Sequence, residues 1–168
     1  MHLRDGSAGR PACRGGRRHG WNRAQECRFQ RRLLHPAPMC EGGRQRLTDL
    51  IWSGVPDGAA ELVLLCEDPD APTGTFVHWL VTGIDPASGG VEAGQTPPGG
   101  QERRNGYGDP GWGGPNPPAG DQAHKYLFRI YALPEPVPLP DNATADDVHA
   151  AVDKRRPAGG TLMGLYHR

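Results

Sequence analysis

The chain has 168 residues, enough for one domain that buries a real core without metal or disulfide staples. Its 25 glycines and 18 prolines argue for many turns and against a helical bundle. The net charge of zero hides a split: residues 1–48 carry 11 arginines, no lysine and three acids, a surplus of eight positive charges, and residues 49–168 carry the matching negative surplus.

Cys13, Cys27, Cys40 and Cys66 show neither Cys-x-x-Cys spacing nor a companion histidine pair, so neither a disulfide framework nor a zinc site is expected. No stretch approaches the ~20 apolar residues that span a bilayer. The basic N-terminus lacks an apolar stretch, so a cytoplasmic protein without a signal peptide is the expectation.

Residues 1–48 have no sustained periodicity. From Leu50 the texture changes: Leu50-Ile51-Trp52 runs into a Gly/Pro turn at Ser53–Gly58, and Leu62 to Cys66 is a continuous apolar run, the pattern of a strand buried on both faces. The prolines of Asp68-Pro69-Asp70-Ala71-Pro72 must leave the ladder. Phe76 to Val81 is a second buried strand, rich in aromatic and β-branched residues. A long Gly/Pro-rich connection follows, from about Asp85 to Gln122, of a length usual only where loops are functional or disordered. A third strand covers Lys125 to Leu133, with Tyr126, Phe128 and Ile130 on one face and Arg129 on the other. Thr144, Asp147, Val148, Ala151 and Val152 give the cap and spacing of one helix, stopped by Pro157, and a short strand or turn is expected at Leu162–Tyr166. The class is therefore all-β, a sandwich with one short helix near its C-terminus.

His78 lies in an apolar strand, so its imidazole needs a buried partner, and the Asp68 carboxylate is the nearest candidate. Such a pair either serves structure alone or holds an imidazolium that donates to an anion. His124 opens a strand at the end of the long loop, where binding groups often sit.

Asp68-Pro69-Asp70-Ala71-Pro72, Val77-His78-Trp79, Gly114-Pro115-x-Pro117-Pro118, His124-Lys125-Tyr126 and Tyr131-Ala132-Leu133 form an ordered set, preceded by Trp52-Ser53-Gly54-Val55-Pro56. Their order and spacing resemble the phosphatidylethanolamine-binding protein family, also called Raf kinase inhibitor-like proteins, and in particular its bacterial branch. The resemblance covers residues 49–168. It implies a Greek-key β-sandwich and a non-enzymatic pocket for phosphate-like anions, including phospholipid head groups, with no cofactor. It places Asp68, His78, Pro115 and His124 at the pocket, with Asp70, Trp79, Gly114 and Tyr126 around them. A homodimer and a protein target are open under this resemblance. Two rival readings remain from the residues: a metal-dependent hydrolase with Asp68, Asp70, His78 and His124 as ligands, and a nucleic-acid binder using the Arg-rich segment.

The basic segment also admits a genetic account. Back-translating Glu26 to Pro38 with suitable codons and shifting by one base gives Ser-Ala-Ala-Ser-Ser-Asp-Gly-Ser-Ser-Ile-Pro-Arg-Arg, which resembles the family's opening. The same shift turns Gly42-Gly43-Arg44-Gln45 into Ala-Asp-Val-Ser, another family-like stretch. On this reading residues 1–48 are out of frame, and the domain at 49–168 is N-terminally incomplete; the alternative is a natural disordered arm. Restoring the frame should raise the melting temperature by several °C, roughly what 1–2 kcal/mol shifts a domain of this size. Thermal melts of the two proteins side by side check this, and equal midpoints remove the argument.

Overall fold

The computed structural model describes residues 28–31, 47, 49–155 and 157–168, and for 28–31 the backbone only. The strands are β1 (Arg28–Arg31), β2 (Leu50–Ser53), β3 (Glu61–Asp68), β4 (Phe76–Ile84), β5 (Gly90–Val91), β6 (Gln101–Glu102) and β7 (His124–Leu133); helix α1 (Ala145–Arg155) and strand β8 (Ala158–Tyr166) follow. They form two open antiparallel sheets, β1-β2-β5 and β6-β4-β3-β7-β8. This is the expected all-β sandwich of Greek-key type with one short helix. β8 is longer than expected, running the full length of β7 from Ala132↔Ala158 to His124↔Tyr166.

β3 explains the layering. All eight of its residues are buried. Alternation sends Leu62, Leu64 and Cys66 into the core between the sheets, where they meet Leu50, Trp52, Trp79, Val81 and Ile130. Val63 and Leu65 face the other way and pack with Leu80, Leu133 and two α1 residues, Val148 and Val152. The apolar run noted in the sequence thus lies between a second sheet on one side and a helix on the other.

The expectation for residues 1–48 falls mostly outside the described residues. Where it can be compared, it is corrected: Arg28–Arg31 is a strand in register with β2, from Arg28↔Ser53 to Arg31↔Leu50. The physical reason is the open edge of β2, whose backbone groups accept a partner strand with little regard to side-chain identity.

α1 begins with a reciprocal cap. The Thr144 backbone N–H and hydroxyl donate to Asp147 Oδ2 at 2.9 and 2.8 Å, and the Asp147 N–H donates to Thr144 Oγ1 at 3.2 Å. These bonds hold the Asp147 carboxyl below its ordinary pKa. Acids in the first turn and bases in the last complement the helix dipole. One polar pin fixes the helix to the sheet: Glu67, 3% exposed, receives His149 Nε2 at 2.6 Å and the Arg129 guanidinium at its other oxygen.

The Glu67 hydrogen bond raises the His149 pKa above its usual value, against the opposing effect of burial. A raised folded-state pKa adds stability that is full below the unfolded pKa of ~6.5 and is lost as pH rises through the folded value. His149→Ala should therefore cost about 1–2 kcal/mol near pH 6 and less near pH 9, because Arg129 still partners Glu67. Urea unfolding at both pH values measures it, and an equal loss at both would show that the charge of His149 contributes nothing.

Candidate functional site

His78 is aimed by an irregularity in β4. Between Cys66↔Trp79 and Glu67↔Val77 the β3–β4 ladder advances one residue on β3 and two on β4, so His78 is the extra residue of a bulge. Trp79 faces the core between the sheets, while Val77 and Leu80 pack toward the helix side. Strict alternation would put His78 with Leu80. The bulge instead sets it beside Trp79, on the side of Tyr126 and Trp112, whose rings lie 5.1 and 6.1 Å from its own. The long loop meets the bulge's backbone: the Gly106 N–H donates to Val77 O at 2.7 Å and the Gly113 N–H to His78 O at 2.8 Å. The His78 ring returns the second bond, with Nδ1 at 2.7 Å from Gly113 O.

A carbonyl only accepts, so His78 Nδ1 carries a hydrogen and Nε2 is the nitrogen able to accept. Burial pushes the His78 pKa below its ordinary value, with the Gly113 carbonyl and Asp68 opposing it. His78 is therefore neutral at pH 7.

Asp68 ends β3 and does not pair with His78. This corrects the expected partnership, because the bulge leaves His78 matched to Gly113 and frees Asp68 for the strand on its other side. Asp68 Oδ2 accepts from His124 Nδ1 at 2.8 Å, and Oδ1 accepts the Asp70 N–H at 2.9 Å. Asp70 then receives the Lys125 N–H at 2.9 Å, tying the turn after β3 to the start of β7. The bond to Asp68 holds the His124 pKa above its usual value, with the Asp121 and Asp70 carboxylates adding to it. His124, 5% exposed, is thus the buried imidazole most easily kept charged, and it is no loose loop-edge group.

Asp68, His78 and His124 share the wall of one cavity of about 190 Å³. At ~30 Å³ per water this holds several waters, and it is smaller than the ~300 Å³ at which drug-sized pockets begin. Phe76 and Tyr107 line another side, with ring centroids 4.7 Å apart, and the turns Ala71–Thr73 and Asn116–Pro118 complete it. Among the described lining residues there is no lysine or arginine.

The other expected pocket residues stand behind the wall. Asp70 fastens Lys125, and Trp79 is a core residue whose indole N–H donates to Glu102 at 3.2 Å. Pro115 is buried next to the lining residue Asn116, and the Gly114 carbonyl accepts the Tyr107 hydroxyl at 3.3 Å. Tyr126 is 4% exposed, and its hydroxyl is buried without a hydrogen bond of good geometry among the described residues. Burial first, and then the Asp68 charge, push its pKa well up. Asp68 is bonded to His124, His78 to the Gly113 carbonyl and Asp70 to the Lys125 N–H, and the described residues contain no group of three or more His, Cys, Asp or Glu placed to hold a metal ion. Residues missed by the sequence reading are Phe76, Tyr107, Thr73 and Asn116. The signal for Tyr107 lay in its glycine neighbours: a Cβ on Gly113 would stand 2.6 Å from the Tyr107 ring, and one on Gly106 would stand 2.6 Å from Phe76.

The model of the phosphatidylethanolamine-binding protein family matches residues 29–167. LppC of Mycobacterium tuberculosis, whose name carries the word lipoprotein, is 45% identical over 117 residues, 70% of this chain and 58% of LppC. The chain thus spans a little over half the length of that relative. A UPF0098 protein of Methanothermobacter thermautotrophicus is 40% identical over 124 residues, covering 71% of this chain and 81% of that protein. The crystal structure of Escherichia coli YbcL, described as a new member of the mammalian family, superposes with a TM-score of 0.68 at 29% identity over 73% of this chain and 80% of YbcL. Among the described residues no helix is long and apolar enough to cross a membrane. With its fold, its motif order and these likenesses together, the chain belongs to the phosphatidylethanolamine-binding protein family.

Proposed function

We propose that the chain is a non-enzymatic binding protein that holds a small phosphate-like anion, free or as a phospholipid head group, between His124 and His78. The observation that carries this reading is the pair of imidazoles in one small cavity, each fixed through Nδ1: His124 to the Asp68 carboxylate and His78 to the Gly113 carbonyl. Fixing Nδ1 leaves both Nε2 atoms for a ligand. The two rings are pushed in opposite directions: Asp68 raises the His124 pKa and favours its charged, donating form, whereas burial lowers that of His78 and favours the neutral form, an acceptor at Nε2.

A donor beside an acceptor suits an oxyanion that carries one hydrogen. A phosphate monoester, with a second pKa of ~6, carries that hydrogen on its monoanion, the form that dominates below that pH. One of its oxygens takes the hydrogen bond from His124, and its hydroxyl donates to His78. The Asp68 carboxylate does not confront the anion with free lone pairs alone, since its two oxygens receive His124 and the Asp70 N–H. Asp121, with Oδ2 3.8 Å from His124 Nε2, is half-exposed, and solvent screens its repulsion. With no lysine or arginine in the described lining, the only positive charge the wall offers is imidazolium.

Affinity for phosphate or phosphoethanolamine should accordingly fall as pH rises through the raised pKa of His124. His124→Ala should weaken binding by roughly 10- to 100-fold, the equivalent of ~1.5–3 kcal/mol for a charged hydrogen bond. It should also destabilise the fold, because Asp68 loses its buried partner. Asp68→Asn separates the two effects: it removes the charge that raises the His124 pKa, so the pH at which binding is lost should move down. Calorimetric titrations of wild type and both variants at about pH 5.5, 7 and 9, spanning the histidine range, measure this. Binding that ignores pH, or that survives His124→Ala unchanged, would leave these residues a structural role only.

A further inference from the structure

Resting on the anion reading above, we propose that Tyr107 is the specificity-determining residue of the pocket: its ring limits the width of the group esterified to the bound anion. Tyr107 lines the cavity and remains 50% exposed, so one side of the ring is free to meet a ligand. Its other side is held. The ring meets Phe76 nearly edge-on at 4.7 Å and lies 6.0 Å from His78. Gly113 is its seat, since any Cβ there would stand 2.6 Å from the ring atoms. Gly106 provides the same clearance for Phe76.

The backbone under the ring is also fixed. Asn105 accepts the Tyr107 N–H at its side-chain oxygen (2.9 Å), donates its amide to Gly111 O (2.9 Å) and closes the loop through its own N–H to Asp109 O (2.8 Å). A residue serving only to close this loop needs no half-exposed ring at the cavity, because Asn105 already ties the loop. The hydroxyl adds little: its bond to the Gly114 carbonyl is long, at 3.3 Å. The width limit therefore belongs to the ring. A ring held on both its backbone and one face yields little to a broad substituent, and a mismatch of even one methylene in a packed site changes affinity by roughly 10-fold or more.

The test titrates inorganic phosphate, ethyl phosphate and phenyl phosphate into wild type, Tyr107→Ala, Tyr107→Leu and Tyr107→Phe. Wild type and Tyr107→Phe should prefer ethyl over phenyl phosphate by roughly 10-fold. Tyr107→Ala and, to a smaller degree, Tyr107→Leu should lose that preference while keeping their affinity for inorganic phosphate. Leu preserves apolar packing on Phe76 and covers the case in which Ala loosens the loop. A second readout needs no bound anion: carbethoxylation of His78 by diethyl pyrocarbonate, followed by peptide mass spectrometry, should run several-fold faster in Tyr107→Ala and at the wild-type rate in Tyr107→Phe. If wild type binds none of the three phosphates, the anion reading fails and the His78 rates alone decide the role of Tyr107. An unchanged ester preference, or without anion binding an unchanged His78 rate, overturns the inference.

Discussion

The site depends on one extra residue in one strand. A regular β4 would carry His78 to the face that meets α1, with Leu80. The bulge costs a ladder irregularity between β3 and β4 and returns a histidine aimed at the cavity. The remaining parts of the site answer that irregularity. The long loop supplies N–H groups to the Val77 and His78 carbonyls and, in the same approach, brings the Gly113 carbonyl to the ring and Tyr107 to the cavity mouth. With His78 satisfied there, the Asp68 carboxylate is left to His124.

β3 carries two neighbouring acids with opposite duties. Glu67 faces the helix and pins α1 through His149 and Arg129, and Asp68 faces the cavity and raises the His124 pKa. Both acids are 3% exposed, and both are matched by cations or N–H donors, as buried carboxylates must be. The pKa of both histidines is raised for the same reason, a short bond to a buried carboxylate, yet one lies against the helix and the other in the cavity wall. Residue type and pKa direction do not separate these roles; the side of the strand does.

Most of the fold was legible in the sequence because it is written in periodicity. The apolar run of β3, the β7 alternation around Tyr126, Phe128 and Ile130, and the Thr144–Asp147 cap each follow from local rules. The aspartate and two histidines of the cavity were legible only as a set, through the order of the motifs. Their pairing was not. Assigning Asp68 to His124 instead of His78 requires the bulge, and no propensity of Phe76 to Val81 announces an extra residue at His78. Tyr107 was hidden in a loop without periodicity, where the meaning of Gly106 and Gly113 appears only once the rings beside them are placed. β1 was unreadable for another reason: a short edge strand paired through its backbone leaves little trace in the side chains.

The Asp68–His124 bond joins residues 56 positions apart. It forms only once β3 and β7 have paired, a non-local step that must first meet the entropy of closing a long loop. Register decides the rest: a slip of one residue between these strands would turn His124 to the opposite face. The cavity is therefore a late product of folding, and a check on its accuracy. Trapped intermediates with native-like strands but a shifted pairing would lack the Asp68–His124 bond, so the anion binding proposed above would belong to correctly registered molecules alone.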